Sequence, residues 1–148
     1  KIADKILGKL LKKEINTGDK KQIIALKYLA TGKLTESDRN TLLKGGAKGI
    51  STFMSYYILT AIASFDKIAA VNIMKEYYGA MINKGATTFW EDFDIDWVKN
   101  SCSIDETPTD GEKDLHADFG AYCYKGLRHS LCHGWSAGVI AFIKENLS

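Results

Sequence analysis

The sequence predicts an all-α protein made of antiparallel helical hairpins, and three observations support this class. Apolar residues recur every three or four positions through most of the 148-residue chain, as on the buried face of a helix. Partly exposed helices alternate with one that is apolar nearly all round, as in hairpins stacked around a centre. Pro108 is the single proline, and several of the 13 glycines stand where a periodic segment ends. At this length we expect one domain, residues 1–148.

Amphipathic periodicity defines the first two helices. Apolar residues at i, i+4 and i+8 from Ile2 share one face with lysines between them, and this helix is expected to end near residues 16–18. Asp19 is a suitable cap for the second helix, which is expected to run to Gly32. Both helices therefore have one apolar and one solvated face.

Capping residues and apolar content define the next two helices. Thr35 followed by Asp38 resembles a capping box with Asp in place of Glu, and this short helix is expected to stop at residues 45–46. Ser51 or Thr52 then opens a segment that is apolar nearly all round. We therefore expect the fourth helix to lie inside the fold.

Two further helices are predicted before residue 100. Asp66 is expected to cap a longer amphipathic helix that ends around residues 83–85, where a glycine is the last residue. From Phe89 a short helix is expected to run to about Lys99. These two helices enclose the stretch in which aromatic and acidic residues are most concentrated.

The last third of the chain alternates between loop and helix. Residues 101–119 are polar and acidic and contain Pro108, which predicts a long loop of the kind that is often functional. Residues 120–127 fit either a helical turn or a strand. Ser136 is expected to begin the last helix, whose apolar residues recur to the end of the chain.

The charge pattern argues against a nucleic-acid partner, and the length of the apolar runs argues against a membrane. The net charge is +2, but residues 1–48 carry 12 basic and 5 acidic side chains, whereas residues 91–118 carry 2 basic and 10 acidic ones. The basic residues alternate with apolar helical positions, as on a solvated face, and no nucleic-acid-binding motif accompanies them. Residues 50–65 form the longest apolar run, which is too short to cross a bilayer.

The cysteines and the first residues bear on the cellular compartment. Cys102, Cys123 and Cys132 are odd in number and form no CxxC pair, so we expect free thiols and, from them, a reducing compartment such as the cytoplasm. Lys1 is not preceded by methionine, and the first residues have no signal-peptide core. We expect this start to be a cut that removes any native targeting segment.

No metal or cofactor site is predicted. Asp92, Asp94 and Asp96 are spaced like the first ligands of an EF-hand loop, but Trp97 stands where that loop needs glycine. The remaining candidate ligands have spacings that match no standard zinc site: His116, Cys123, His129, Cys132 and His133.

Residues 85–94, called here the glutamate segment, surround Glu91 with aromatic residues directly after a predicted helix. They read Gly-Ala-Thr-Thr-Phe-Trp-Glu-Asp-Phe-Asp. A carboxylate beside apolar rings is a candidate proton acceptor or donor, and exposed rings offer flat faces to a sugar or a base. The alternative is a core contact, with the acids placed favourably at the start of a helix.

Residues 130–138, called here the tryptophan segment, place His133 and Trp135 between glycines just before a helix. They read Ser-Leu-Cys-His-Gly-Trp-Ser-Ala-Gly. Such glycines let backbone and ring approach a partner closely, and that partner is either a ligand or the protein itself. Because both segments carry a tryptophan, we expect them to converge on one pocket lined by Trp90, Glu91, His133 and Trp135.

The two segments, in this order and spacing, resemble the bacterial α-L-rhamnosidases of glycoside hydrolase family 78. The Gly-Gly-Ala-Lys-Gly run at residues 45–49 and the Phe-Met-Ser-Tyr-Tyr run at residues 53–57 add to the resemblance, which extends from about residue 20 to the end. It implies that the chain forms the second half of an (α/α)6 barrel, a half-toroid of hairpins, within a larger parent chain.

The resemblance also implies a role for each residue of the expected pocket. Glu91 occupies the position of the general base that activates water in an inverting hydrolysis of terminal α-L-rhamnose. His133 and Trp135 correspond to residues that line the sugar pocket, and Trp90 lies beside the base. An inverting glycosidase needs its base far enough from its acid to hold a water molecule.

The sequence departs from the family pattern in two places. Val139 replaces a common proline, and no part of the chain matches the aspartate-rich motif, with its Arg-Asp-Glu core, that holds the general acid. We therefore expect an inactive fragment that either associates with itself or lacks the first half of the barrel. The alternatives are a non-catalytic carbohydrate-binding module and a helical scaffold for another protein.

Overall fold

The computed structural model describes residues 2–10, 20–115 and 130–147, and over these ranges the protein is all-α. Its only β-type pairing there is an isolated bridge between Ser101 and Lys113. The α-helices, numbered α1 to α6, are Ile2–Leu10, Lys20–Thr31, Glu36–Leu43, Ser55–Ala63, Lys67–Asn83 and Gly138–Leu147. The predicted fold class is thus confirmed at the level of helix content.

Helix α4 is the centre of the core, as its composition predicts. It contacts α2, α3, α5 and α6. Ile58, Leu59 and Ile62 are each at most 1% exposed, because apolar residues on every side of α4 have to be covered. However, α4 begins at Ser55 and not at Ser51 or Thr52, since residues 52–54 form turns.

Two of the predicted caps are present. Thr35 and Asp38 form a reciprocal capping box, in which each side chain accepts a hydrogen bond from the backbone of the other residue. The Asp66 side chain caps α5 by accepting from the backbone N–H of Ala69 at 2.9 Å. Both caps satisfy N–H groups that the first helical turn leaves free, so local sequence was enough to predict them.

The helix expected from Phe89 to Lys99 is a wrong prediction. Residues 86–94 form no helix, and a 3-10 helix follows at Ile95–Asn100, capped by the Asp94 carboxylate. The backbone N–H of Glu91 donates to the distant Ser130 carbonyl, and that of Phe93 donates to the Asp92 carboxylate, so neither makes a helical hydrogen bond. The last helix is also preceded by a 3-10 turn, Gly134–Ala137.

Several predictions fall partly or wholly outside the described residues. These are the end of the first helix, the Asp19 cap, the choice between turn and strand at residues 120–127, and the residues His116, Cys123 and His129. Residues 101–115 form the predicted loop. Cys102 and Cys132 form no disulfide, as predicted.

Apolar side chains remain exposed on two sides of the helical array. Ile2 and Ile6 of α1 are 78% and 54% exposed, and on α5 and α6 the same holds for Ile82 and Ile140. Within the described ranges, none of the helices combines the length and the apolar character that crossing a bilayer requires.

Candidate functional site

The glutamate segment leaves α5 through a turn that only glycine accommodates well. Gly85 has φ +93°, and the N–H of Ala86 bonds back to the Met81 carbonyl at 3.0 Å. A Cβ at Gly85 would lie 2.8 Å from the Ile104 side chain. The turn directs residues 86–94 across the helices, which carries Glu91 away from the end of α5.

The glutamate and tryptophan segments are joined directly. The Glu91 N–H donates to the Ser130 carbonyl at 2.8 Å, and the His133 N–H donates to the Phe89 carbonyl at 2.7 Å. Side-chain hydroxyls add two more links, from Thr88 to the Leu131 carbonyl and from Ser136 to the Trp90 carbonyl. The convergence of the two segments, expected from the sequence, is present in the structure.

The backbone and side chain of Glu91 are both held in place. One carboxylate oxygen, Oε2, accepts from the Ser130 N–H at 3.1 Å. The Glu91 carbonyl accepts from the Thr52 hydroxyl at 2.6 Å and from the Trp135 indole Nε1 at 2.7 Å. The side chain is half-buried, and among the described residues only Oε2 of its two oxygens accepts a hydrogen bond.

His133 and Trp135 form a ring pair at the surface beside Glu91. Their ring centroids are 4.4 Å apart at an interplanar angle of 47°. Trp135 is 50% exposed, and its indole N–H is already used by the Glu91 carbonyl. Trp135 therefore offers a ring face to a ligand and not a hydrogen-bond donor, which suits the apolar face of a sugar.

Trp90 does not lie at this surface, contrary to its expected place in the pocket lining. It is 0% exposed, and its ring packs edge-on against Phe93 at 5.7 Å between centroids. Successive residues of an extended segment point to opposite sides, so the half-exposed side chain of Glu91 leaves Trp90 in the core. Trp90 supports the segment from beneath and is not accessible to a sugar.

A buried polar network lies under the two segments. The Ser55 hydroxyl donates to the Thr52 carbonyl at 2.8 Å and lies 2.7 Å from the Tyr78 hydroxyl, which is 3.4 Å from the Ser136 carbonyl. Burial raises the pKa of Tyr78, so this hydroxyl stays protonated and can donate at neutral pH. The network connects α4, α5 and the tryptophan segment.

A second tyrosine supports the far end of the glutamate segment. The Tyr77 hydroxyl donates to the Phe93 carbonyl at 2.6 Å, and the side chain is 1% exposed. Burial raises the pKa of Tyr77 well above its ordinary value, and the nearby Tyr78, Asp92 and Asp94 add to this shift. The segment that carries Glu91 is thus fixed at both ends.

Two residues of the site were not predicted. Thr52 was expected only as the start of a helix, yet its hydroxyl contacts the Glu91 backbone. Phe53 is 48% exposed, and its ring lies 5.9 Å from that of Trp135, which extends the aromatic surface. An exposed Phe next to a buried Thr at the start of an apolar helix is a weak signal, since its meaning depends on contacts more than 35 residues away along the chain.

An apolar groove of about 490 Å³ lies on another side of the glutamate segment. It is lined by α5, by residues 86–89 and by α6, including Met74, Tyr78, Ile82, Ile140 and Ile143. Glu91, His133 and Trp135 do not line it, so this apolar groove is separate from the candidate proton acceptor. We locate the candidate chemistry at Glu91, because the groove has no carboxylate or histidine among its lining residues.

The described part of the chain contains no cluster of three or more His, Cys, Asp or Glu side chains able to hold a metal ion. Asp96 instead pairs with Lys48 at 3.0 Å and Lys99 at 3.3 Å, and the bond from Lys48 holds the pKa of Asp96 below its usual range.

The fold and site therefore define a helical protein with a carboxylate and aromatic rings at one surface. Comparison of the chain with protein-family models, with curated proteins and with solved structures gave no match.

Proposed function

We propose that the chain is part of an inverting glycoside hydrolase that removes terminal α-L-rhamnose, with Glu91 as the general base. The proposal rests on one observation, the hydrogen bond that joins the Trp135 side chain to the Glu91 backbone. The indole of Trp135 bonds the Glu91 backbone at 2.7 Å, so a carboxylate and an exposed aromatic face are held side by side. This is the combination that a base-assisted sugar hydrolysis requires.

Each residue of the proposed site has a distinct part in the reaction. The Glu91 carboxylate accepts a proton from the attacking water, while the bond from the Ser130 N–H to Oε2 fixes its orientation. Trp135 stacks on the methyl-bearing apolar face of the deoxy sugar, and His133, in ring contact with it, bonds sugar hydroxyls. Trp90 acts from the core as a support. The general acid has to come from residues outside this chain.

The same proposal assigns a role to the exposed apolar faces. In an (α/α)6 barrel each helical hairpin is covered by the next one. The half-toroid formed by this chain would therefore leave an apolar face for the missing half of the barrel or for a second copy. The groove between α5 and α6, with Ile82 65% and Ile140 57% exposed, supports this assignment.

The proposed activity is tested with the isolated chain and with the parent enzyme. We expect no cleavage of an aryl α-L-rhamnoside by the 148-residue chain, because the general acid is absent and general acid catalysis supplies about 10²–10⁴-fold. Cleavage by this chain alone would show that the chain itself contains a general acid, contrary to the proposal. In the parent, Glu91→Gln should lower kcat by a similar factor with KM little changed.

A matched control separates the role of the base from that of its scaffold. Glu106→Gln changes a carboxylate in the 101–115 loop and is expected to leave kcat unchanged. Full activity of Glu91→Gln in the parent would remove Glu91 from the mechanism. Sugar binding with no hydrolysis in an intact parent would instead favour a non-catalytic carbohydrate-binding module, which the exposed Phe53 and Trp135 rings would also serve.

A further inference from the structure

Two side chains converge on one backbone oxygen at the proposed base. The Glu91 carbonyl accepts from the Thr52 hydroxyl at 2.6 Å and from the Trp135 indole at 2.7 Å. A carbonyl oxygen has two lone pairs, so these two donors fill its acceptor capacity. Thr52 is only 1% exposed, and a hydrogen bond in such a low-dielectric site is stronger than at the surface.

The position of Thr52 is itself fixed by the elements around it. In the preceding turn, the buried Lys21 ammonium donates to the Gly46 carbonyl at 2.6 Å, and Glu76 accepts from the Ala47 N–H at 3.0 Å. Gly46 has φ +58°, and a Cβ there would lie 2.5 Å from a Glu76 carboxylate oxygen. Helices α2 and α5 thus hold the turn that leads into Thr52.

We propose that Thr52 is a positioning residue for the sugar pocket. Its hydroxyl fixes the Glu91 carbonyl, which is bonded to the Cα that bears the Glu91 side chain and also accepts from the Trp135 indole, so that carboxylate and ring face the same sugar. This inference rests on the proposed rhamnose pocket at Glu91. Without the hydroxyl, the Glu91 carbonyl keeps one donor, and the relative orientation of Glu91 and Trp135 relaxes.

The test uses the whole 148-residue chain, titrated with methyl α-L-rhamnoside and followed by NMR. The variants are Thr52→Val, which keeps the shape but loses the hydroxyl, and Thr52→Ser, which keeps the hydroxyl. Thr60→Val is the matched control, because Thr60 lies in α4 and its hydroxyl bonds neither segment of the site among the described residues. The indole N–H signal of Trp135 is assigned by its loss in Trp135→Phe.

The loss of one hydrogen bond predicts a weaker complex. Thr52→Val should raise the Kd for the rhamnoside by about 3- to 10-fold and shift the Trp135 indole signal. Thr52→Ser should restore both readouts to within about twofold of the wild type, and Thr60→Val should leave both unchanged. Rescue of both readouts by serine would show that the hydroxyl, and not the volume of the side chain, is responsible, while Thr60→Val controls for a general effect on α4.

Two outcomes would overturn the inference, and a third concerns the proposed pocket. An unchanged Kd and indole signal in Thr52→Val, with a wild-type chain that binds the rhamnoside, refutes the role of Thr52 alone. An equal loss in Thr60→Val shows general softening of α4. A wild-type chain that does not bind the rhamnoside refutes a sugar pocket formed by this chain alone, and the role of Thr52 is then judged by the Trp135 indole signal, which requires no sugar. Should Thr52→Val lack the wild-type circular dichroism spectrum, Thr52→Ala replaces it and is judged in the same way.

Discussion

Tyr77→Phe removes a single buried hydroxyl beneath the glutamate segment. The phenylalanine ring keeps the packing against Phe93, whose centroid is 5.3 Å away, but the Phe93 carbonyl loses its donor at 2.6 Å. A buried acceptor without a partner costs about 1–3 kcal/mol in the free energy of unfolding. For a chain of this size each kcal/mol lowers Tm by about 2–4 °C, so the loss is measurable.

The same hydroxyl makes the stability of the protein depend on alkaline pH. Burial raises the pKa of Tyr77 well above its usual value of about 10, so the folded state keeps this proton after the unfolded chain has lost it. The folded state then binds more protons than the unfolded state, and the free energy of unfolding falls as pH rises above about 10. Below that pH the Tyr77 contribution is constant.

The measurement is urea unfolding followed by tryptophan fluorescence at about pH 7.5 and about pH 11. Tyr77→Phe should be less stable than the wild type at the lower pH, and this difference should shrink at the higher pH, because the variant has no phenol to deprotonate at this site. Tyr28→Phe is the control, since the half-buried Tyr28 hydroxyl makes no hydrogen bond among the described residues. A Tyr77→Phe difference below about 0.5 kcal/mol, or one that does not change with pH, would refute the reasoning.

Two further predictions concern the backbone turn and the apolar groove. Gly85→Ala and Gly32→Ala both place a side chain at positive φ, which costs about 1–2 kcal/mol in the free energy of unfolding. Only at Gly85 does the new Cβ also meet the Ile104 side chain, so urea unfolding should show the larger loss of stability for Gly85→Ala. Equal losses in the two variants would contradict this prediction. Ile140→Lys, in the groove, should reduce the self-association seen by sedimentation velocity, whereas Ile68→Lys, at a more exposed position outside the groove, should not. A wild-type chain that is monomeric at every concentration would refute a second copy as the occupant of the groove.

The helices could be predicted because their signals are local. The box between Thr35 and Asp38 and the cap at Asp66 each depend on residues three positions apart, and both are present. The predicted helix after Phe89 failed for the opposite reason. The backbone of Glu91 bonds Ser130, and no pattern within residues 89–99 reveals a partner that far along the chain.

The residues of the site likewise divide into those that local sequence predicts and those that depend on distant contacts. The meeting of Glu91 with His133 and Trp135 was expected from the two segments, and the structure brings these segments together. The burial of Trp90 depends on which side of the segment faces the core, and a run of neighbouring aromatics does not determine this. Thr52 was missed because the value of its hydroxyl comes entirely from a carbonyl 39 positions away.

The hydrogen bonds between the glutamate and tryptophan segments have a consequence for folding. Glu91 and Ser130 are separated by 39 positions, and closing a chain loop of that length costs roughly 3 kcal/mol of entropy beyond the constant term. Helices α2 to α5 can pack before that closure, whereas the carboxylate and the indole meet only when the loop has closed. The site is therefore expected to form late in folding and to open before the packing of α2 to α5 is lost.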